Sequence, residues 1–393
     1  MEPSLQLKVN ATYMRGGTSK GVFFKQQDLP EAYQYAGTAR DNFLLRVLGS
    51  PDPYGKQIDG MGGASSSTSK AVIVAQSERE GHDVDYTFAQ VSINKALVDW
   101  SGNCGNLTAA VGVFALFSGL VNSKNIPKNG LCKVRIWQKN IAKTIVVHVP
   151  IKDGLVQELG DFYIDGIAFP SAKIQVDFIK PVDNQSLLPT GNAFDSLAVP
   201  KVGTFNVTLI SAGIPCVILQ AQDFGYNGAE LSEVLNQNQE KLKQIELIRQ
   251  YAAVKMGLSS TLLEAESSQH IPKIIFVAPA LSYLSASGEK VLQTEIDLTV
   301  RAVSMGIFHH ALMGTASVAL AVASAISGTL VHSLVKYKSS SLEKIQTINL
   351  GHSSGTLDVC VDINDDKGDA FVNKVTIYRS ARVLMQGQIY IPQ

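Results

Sequence analysis

Cysteine is scarce in this chain of 393 residues. Cys104, Cys132, Cys216 and Cys360 lie far apart and form no C-x-x-C pair. That pattern excludes a disulfide framework and a cysteine zinc site, and it fits a reducing compartment. An excess of one charge is missing too, since 34 basic residues balance 34 acidic ones. No global field points to nucleic acid or to an anionic membrane, and no DNA- or RNA-reading motif is present. The opening residues MEPSLQLKVN lack the apolar core of a secretory signal. One uncharged stretch, Ala311–Val331, is about as long as a membrane span. It is rich in Ala, Ser, Gly and Thr, and a polar loop leads into it. It therefore reads as a buried core helix, and the chain as a soluble, cytoplasmic protein without a membrane partner.

What the chain does have is an internal duplication. SGNCGNLTAAVGVFALFSG, Ser101–Gly119, returns as HALMGTASVALAVASAISG, His310–Gly328. At an offset of 209, Gly105 falls on Gly314, Ala110 on Ala319, Val113 on Val322 and Ser118-Gly119 on Ser327-Gly328. Each copy has a polar head, a small-residue apolar run and a Ser-Gly stop, the pattern of a loop entering a fully buried helix. Val22–Asp28 resembles Val217–Asp223 at offset 195, Ser69–Ala75 resembles Pro272–Ala278 at 203, and Asp85–Ser92 resembles Asp297–Ser304 at 212. Two pseudo-symmetric α/β (α+β) domains follow, 1–187 and 188–393, meeting in the Pro-, Gly- and Asn-bearing connector 180–203. The last strand is left free to return to the first domain. Each domain reads as a strand-rich sheet or barrel around one central helix. Its strands include Ala11–Met14, Gly21–Lys25, Ala71–Ala75, Tyr86–Ile93, Cys132–Trp137 and Thr144–Val149. In the second half, Leu231–Met256 reads as one long amphipathic helix with no first-half counterpart of similar length. The tail reads as closing strands.

The candidate chemistry gathers at the helix mouths. A helix N-terminus offers free N–H groups and partial positive charge, so Gly105-Asn106 and Gly314-Thr315 are anion sites. Cys104 stands immediately before Gly105, where the helix dipole lowers the pKa of a thiol; the plain alternative is a small buried residue. Met313 fills the matching place in the second copy and carries no proton. The other three cysteines fall in apolar strands and are assigned to packing. Arg15-Gly16-Gly17-Thr18-Ser19-Lys20-Gly21 fails the spacing of a nucleotide-binding loop. It reads as a turn between strands in which Arg15, Gly17, Thr18 and Ser19 hold a carboxylate, or as a plain Gly turn. Lys70 follows the loop DGMGGASSSTS, 59–69, and opens a strand. A lone lysine is normally a solvated charge, and Lys273 is its twin, but the loop is long enough to fold over a ligand. His309-His310 lacks a third metal ligand, so no metal site is assigned. Ser353, within Gly351–Gly355, marks a further anion-binding turn.

The motifs carry a resemblance. Cys104-Gly105-Asn106 with its helix resembles the first catalytic-cysteine motif of diaminopimelate epimerases, and Met313-Gly314-Thr315 resembles their second, Cys-Gly-Thr. In those enzymes two facing cysteines form a base–acid pair. With Met313 in place of the second, a two-thiol epimerase is not expected. A longer, co-linear set spans nearly the whole chain: ATYMRGGTSKGVFF at 11–24, SPDPYGKQIDGMGGASSSTSKAVIV at 50–74, DWSGNCGNLTAAVGVFAL at 99–116, LPTGN at 188–192, HHALMGTASVALA at 309–321 and RSARVLMQG at 379–387. These resemble the PrpF family of isomerases, which act on 2-methylaconitate and have oxalomesaconate tautomerases and methylitaconate isomerases among their relatives.

The resemblance implies the epimerase-like fold in two domains, a lysine and a cysteine as catalytic groups falling on Lys70 and Cys104, and no metal or organic cofactor. It implies a small tricarboxylate substrate in the methylcitrate route of propionate breakdown, beside an aconitase-like iron–sulfur dehydratase. Lys70 would take an allylic proton and Cys104 would donate or relay one, with helix N-termini stabilising the dienolate. Rotation and migration of the double bond are both open. So are two alternatives, a non-catalytic accessory protein of that dehydratase and a related oxo-acid tautomerase. A homodimer fits, though no segment marks its interface.

Overall fold

The computed structural model describes residues 6–182, 187–335, 345–364 and 371–392. The chain divides into two compact units. Unit 1 comprises 1–163, 169–176 and 379–393; unit 2 comprises 164–168 and 177–378. The chain leaves unit 1 inside the strand Ile174–Ile179 and re-enters it after Tyr378. The expected connector lies further on, and its residues 183–186 fall outside the described ones.

In unit 1 the strands run in the order Ala381–Pro392, Gln6–Gly16, Ser19–Lys25, Lys70–Gln76, Val84–Val91, Gly130–Gln138 and Lys143–Lys152. Ser19–Lys25 with Lys70–Gln76 and Val84–Val91 with Gly130–Gln138 are parallel; the other neighbours are antiparallel. Unit 2 repeats the series as Asp195–Val199, Gly203–Ala212, Ile214–Gln220, Lys273–Pro279, Leu298–Ser304, Ile345–His352 and Gly355–Asn364, with the same senses. The C-terminal strand Ala381–Pro392 therefore supplies to unit 1 what Asp195–Val199 supplies to unit 2. Within the duplication one register differs from the expected offset. Ala71 pairs with Ala89 while Ile274 pairs with Val303, so the strand Leu298–Ser304 sits two residues further along than the sequence alignment places it. A shift of two keeps each side chain on its face, which is why the pattern hides it.

Each unit wraps a buried helix. Gly105–Phe117 is buried from Gly105 to Leu116, and Gly314–Ala325 from Gly314 to Ser324. Strands from both ends of the unit 1 order touch the first of these helices. Phe23 meets Phe114 of the helix at 5.5 Å between ring centroids. The neighbouring residues Val22 and Phe24 point to the other face, where Phe43, Leu44 and Leu48 of the helix Thr38–Leu48 cover them. Sequence reading misses this helix. In unit 2 the equivalent cover over Val217, Leu219, Ile274 and Phe276 is the helix Gln239–Lys255. With both faces covered, the strand Lys70–Gln76 and its unit 2 twin Lys273–Pro279 each open on a lysine and then run apolar without alternation.

The expected single helix over Leu231–Met256 is two helices, Ser232–Leu235 and Gln239–Lys255. Asn236 exchanges two hydrogen bonds with the backbone of Phe308, and Asn238 caps the second helix by accepting from the N–H of Lys241. Both asparagines offer the backbone a partner other than the helix ladder, so the helix breaks between them. The turn expected over Arg15–Gly21 is also shorter. Arg15 and Gly16 end one strand, Ser19 and Lys20 open the next, and only Gly17-Thr18 forms the turn. Among the described residues no helix is long and apolar enough to cross a membrane.

Candidate active site

In unit 1 the mouth of the buried helix collects the candidate groups. Cys104 is the N-cap residue, in extended conformation and buried. Its carbonyl accepts from the N–H of Thr108 at 3.0 Å and from Thr108 Oγ1 at 2.9 Å, which anchors the first turn. Its Sγ lies 4.0 Å from Ser19 Oγ. Lys70, the first residue of its strand, is only 6% exposed, and Cys104 is the titratable group that bears on its amine. The lysine Nζ also donates to Gln90 Oε1 at 2.8 Å and lies 5.2 Å from the ring centroid of Phe88. Burial pushes the lysine below its ordinary value, and Cys104 opposes that shift in part.

A second basic residue stands by the same thiol. Arg379 is buried, and burial brings it down to about 10 while Cys104 acts to raise it, so it remains charged at neutral pH. Its Nε donates to Asn106 Oδ1 at 2.8 Å, and Asn106 Nδ2 donates to Thr18 Oγ1 at 2.9 Å. Asn106 thus joins the helix mouth to the Gly17-Thr18 turn. Gly17 adopts φ +49°, and a Cβ there would stand 2.5 Å from Asn106 Oδ1 and 2.9 Å from Arg379 Cδ. Glycine is required on both counts. The Asn103 amide nitrogen, next to Cys104, is buried and has no partner among the described residues. The Tyr86 hydroxyl faces Thr108 and the Cys104 backbone N–H without closing a well-formed hydrogen bond on either, and burial holds its pKa well above the ordinary value.

The loop 59–69 is pinned rather than open. Gln57 Nε2 donates to Ser69 Oγ at 2.7 Å, its Oε1 accepts from the N–H of Ala64 at 2.8 Å, and Ser67 O accepts from the N–H of Lys20 at 3.0 Å. Arg15 is tied to the scaffold. Its Nη1 donates to Gly17 O, Ser380 O and Ser380 Oγ, and its Nη2 to Ser171 Oγ, each at 3.1 Å. The site therefore brings together Lys70, Cys104, Gly105, Asn106, Thr18 and Ser19, and Arg15 reaches it through the turn it braces.

In unit 2 Met313 caps the second buried helix, and Gly314 and Thr315 open it, all three buried. Ser353 Oγ lies 2.7 Å from Ser232 Oγ, which donates to His309 O at 2.7 Å. Ser354 Oγ donates to His310 O at 2.6 Å, and the rings of His309 and His310 stack at 4.7 Å. Burial lowers the pKa of His310. Lys273 repeats the place of Lys70, with Nζ 2.8 Å from Ser304 Oγ and 3.1 Å from His270 Nδ1. Burial raises the thiols of Cys132 and Cys216, while Cys360 is half-buried with Sγ 3.4 Å from Thr347 Oγ1. Among the described residues no group of three or more His, Cys, Asp or Glu is placed to hold a metal.

Sequence reasoning misses Gln90, Arg379 and Asn103 as members of the site. Arg379 opens the RSARVLMQG motif, which is the one signal that marks it. Two grooves of unit 1, of about 720 and 510 Å³, lie elsewhere, around Phe117 at the far end of the helix.

A family model described as PrpF protein matches residues 6–392. A 2-methyl-aconitate isomerase of Shewanella oneidensis is 55% identical, over 99% of this chain and 98% of its own. The crystal structure of a methylitaconate-delta-isomerase matches at 35% identity with TM-score 0.74, covering 99% of this chain and 97% of that one. A hydroxyproline epimerase from Agrobacterium vitis matches at 10% identity with TM-score 0.56, covering 98% of this chain and 93% of that one, a likeness of fold.

Proposed function

The chain belongs to the PrpF protein family, and we propose that it is an isomerase that interconverts 2-methyl-cis-aconitate and its trans isomer by moving an allylic proton. The observation that carries this reading is the pairing of a buried lysine with a buried cysteine at a helix mouth, Lys70 with Cys104.

The substrate is close to a trianion and needs several positive or dipolar partners. Arg379, the N–H groups of Gly105 and Asn106, the amide of Asn103 and the hydroxyls of Thr18 and Ser19 supply them around the lysine–cysteine pair. Arg15 supports the same region by bracing the turn. In unit 2, Gly314 and Thr315 are proposed as anion-binding amides of their own helix, with Met313 and Ser353 beside that function. Met313 takes no part in proton transfer.

An allylic C–H is a weak acid, so the base must be neutral and the anion must be stabilised as it forms. Burial moves Lys70 toward the first condition by lowering its pKa from the ordinary lysine value. It takes the proton, and the electron pair spreads into a dienolate held by the cationic and N–H donors. The original double bond loses order and rotates. Return of the proton to the same carbon completes cis–trans exchange; return at the other end of the allyl system moves the double bond. Cys104 lies where a thiol can hand over or receive that proton. The proposal includes work without metal or organic cofactor, in the cytoplasm, in propionate breakdown by the methylcitrate route beside an aconitase-like iron–sulfur dehydratase.

The test is turnover of 2-methyl-cis-aconitate by the purified protein after chelation and desalting, followed by proton NMR. Isomerisation by the isolated chain, with a loss of about 10³-fold or more in Lys70→Ala, is expected. Absence of turnover, with co-purification of the dehydratase, would replace the proposal with an accessory role. Faster turnover of an oxo-acid would replace the substrate.

A further inference from the structure

Gln90 is fully buried and stands directly opposite Lys70 across two antiparallel strands. Its amide is oriented by its neighbours. Nε2 donates to Ser66 O at 3.2 Å and to Ser69 O at 3.0 Å, which turns Oε1 toward the Lys70 amine at 2.8 Å. With the amide reversed, its oxygen would face two carbonyl oxygens and its NH₂ would face the amine, so the pinned serine loop fixes one orientation. Phe88, on the same strand and two residues earlier, offers its ring to the amine at 5.2 Å. The titratable group facing the amine from the helix is Cys104, and Tyr86 and Arg379 bear in turn on that thiol. None of these groups is a carboxylate. A glutamate opposite Lys70 would hold the ammonium form; a glutamine holds the side chain in place with much less hold on its proton. The twin Lys273 meets a serine hydroxyl, Ser304 Oγ, in the corresponding cross-strand place.

Resting on the assignment of Lys70 as the base, we propose that Gln90 is its positioning residue, a neutral amide locked by the serine-loop carbonyls that aims the Lys70 amine toward Cys104 and leaves that amine free to exchange its proton. The role is separate from substrate contact: Gln90 acts through Lys70.

The test uses Gln90→Glu, Gln90→Met and Lys70→Ala in the full chain. Two quantities are read: the pH profile of kcat/KM, and the titration of Lys70 by NMR in protein labelled with ¹³C at lysine Cε, its signal assigned by its loss in Lys70→Ala. Gln90→Glu is expected to move both midpoints up by about one pH unit or more, lowering kcat at neutral pH about tenfold with KM changed little, and recovering activity toward alkaline pH. Gln90→Met removes an acceptor that favours the ammonium form, so both midpoints move down while kcat falls. A residue with a merely structural role would lower activity in both variants and move neither midpoint. Unchanged midpoints in the two variants, with Lys70→Ala inactive, would overturn the role of Gln90 and leave Lys70 as the base. Full turnover in Lys70→Ala would overturn the base assignment and this proposal with it. If Gln90→Glu does not fold, the downward shift in Gln90→Met carries the test alone.

Discussion

Arg379 donates from Nε to Asn106 Oδ1 at 2.8 Å, joining the last residue of the strand Phe371–Arg379 to the second residue of the Cys104 helix. The bond places a buried cation beside the thiol and holds the asparagine that holds the turn. Arg379→Met removes both effects and leaves Asn106 without a charged donor. Its kcat/KM is expected to fall about 10²-fold. Arg379→Lys keeps a charge without the planar fork and should lose less. Alkylation of Cys104 by iodoacetamide separates the two effects, slowing in Arg379→Met and persisting in Arg379→Lys.

The acid–base prediction follows from burial of Lys70. Its pKa lies below the ordinary lysine value of 10.5, and the proposed base is its neutral amine. Activity should rise with pH, with a midpoint below 10.5, and Lys70→Ala should lose that limb. Between the folded and unfolded values the unfolded chain binds more protons at this residue. Stability therefore increases with pH across that window, and below it the buried charge is destabilising. Lys70→Met should be inactive and melt higher at neutral pH, by roughly 2 °C, in calorimetry. A lower melting temperature would contradict the burial argument.

Gly17 is a point where backbone and site meet. Its φ of +49° and the 2.5 Å approach of Asn106 Oδ1 to a notional Cβ leave no room for alanine. Gly17→Ala is expected to cost about 1–3 kcal/mol of stability in chemical denaturation and to raise KM, because the turn and Asn106 must part.

Met313 is buried at the second helix mouth and carries no exchangeable proton. Met313→Leu conserves its volume and apolar character, so kcat should stay within about threefold of the parent. A collapse of kcat with the fold intact would give the thioether a role that the proposed mechanism omits.

The duplication was the most legible feature of the sequence, because both buried helices are rich in small residues and both copies carry a Ser-Gly step, which closes the first helix at Ser118 and follows the end of the second, Ala325, by two residues. The strands could be read from their apolar runs. The helix Thr38–Leu48 could not, since its N-cap is Gly37 with no side-chain cap and its apolar stripe is short. The Asn236 break depends on Phe308, 72 residues away, and sequence periodicity carries no such contact. At the site, Cys104 announced itself by its place before a helix. Lys70 did not, because burial of a lone lysine is visible only once Gln90 and Phe88 surround it. Arg15 attracted a carboxylate-holding role by its charge, while its terminal nitrogens brace Gly17, Ser380 and Ser171.

The central claim is proton abstraction by Lys70. It is tested most directly by deuterium uptake from D₂O into 2-methyl-cis-aconitate, followed by proton NMR with the parent protein, Lys70→Ala and Cys104→Ala. The account predicts isomerisation with deuterium entering the allylic position in the parent, and neither in Lys70→Ala. Loss in Cys104→Ala as well would make the thiol a proton carrier. Isomerisation without any deuterium uptake, or full uptake in Lys70→Ala, would contradict the account.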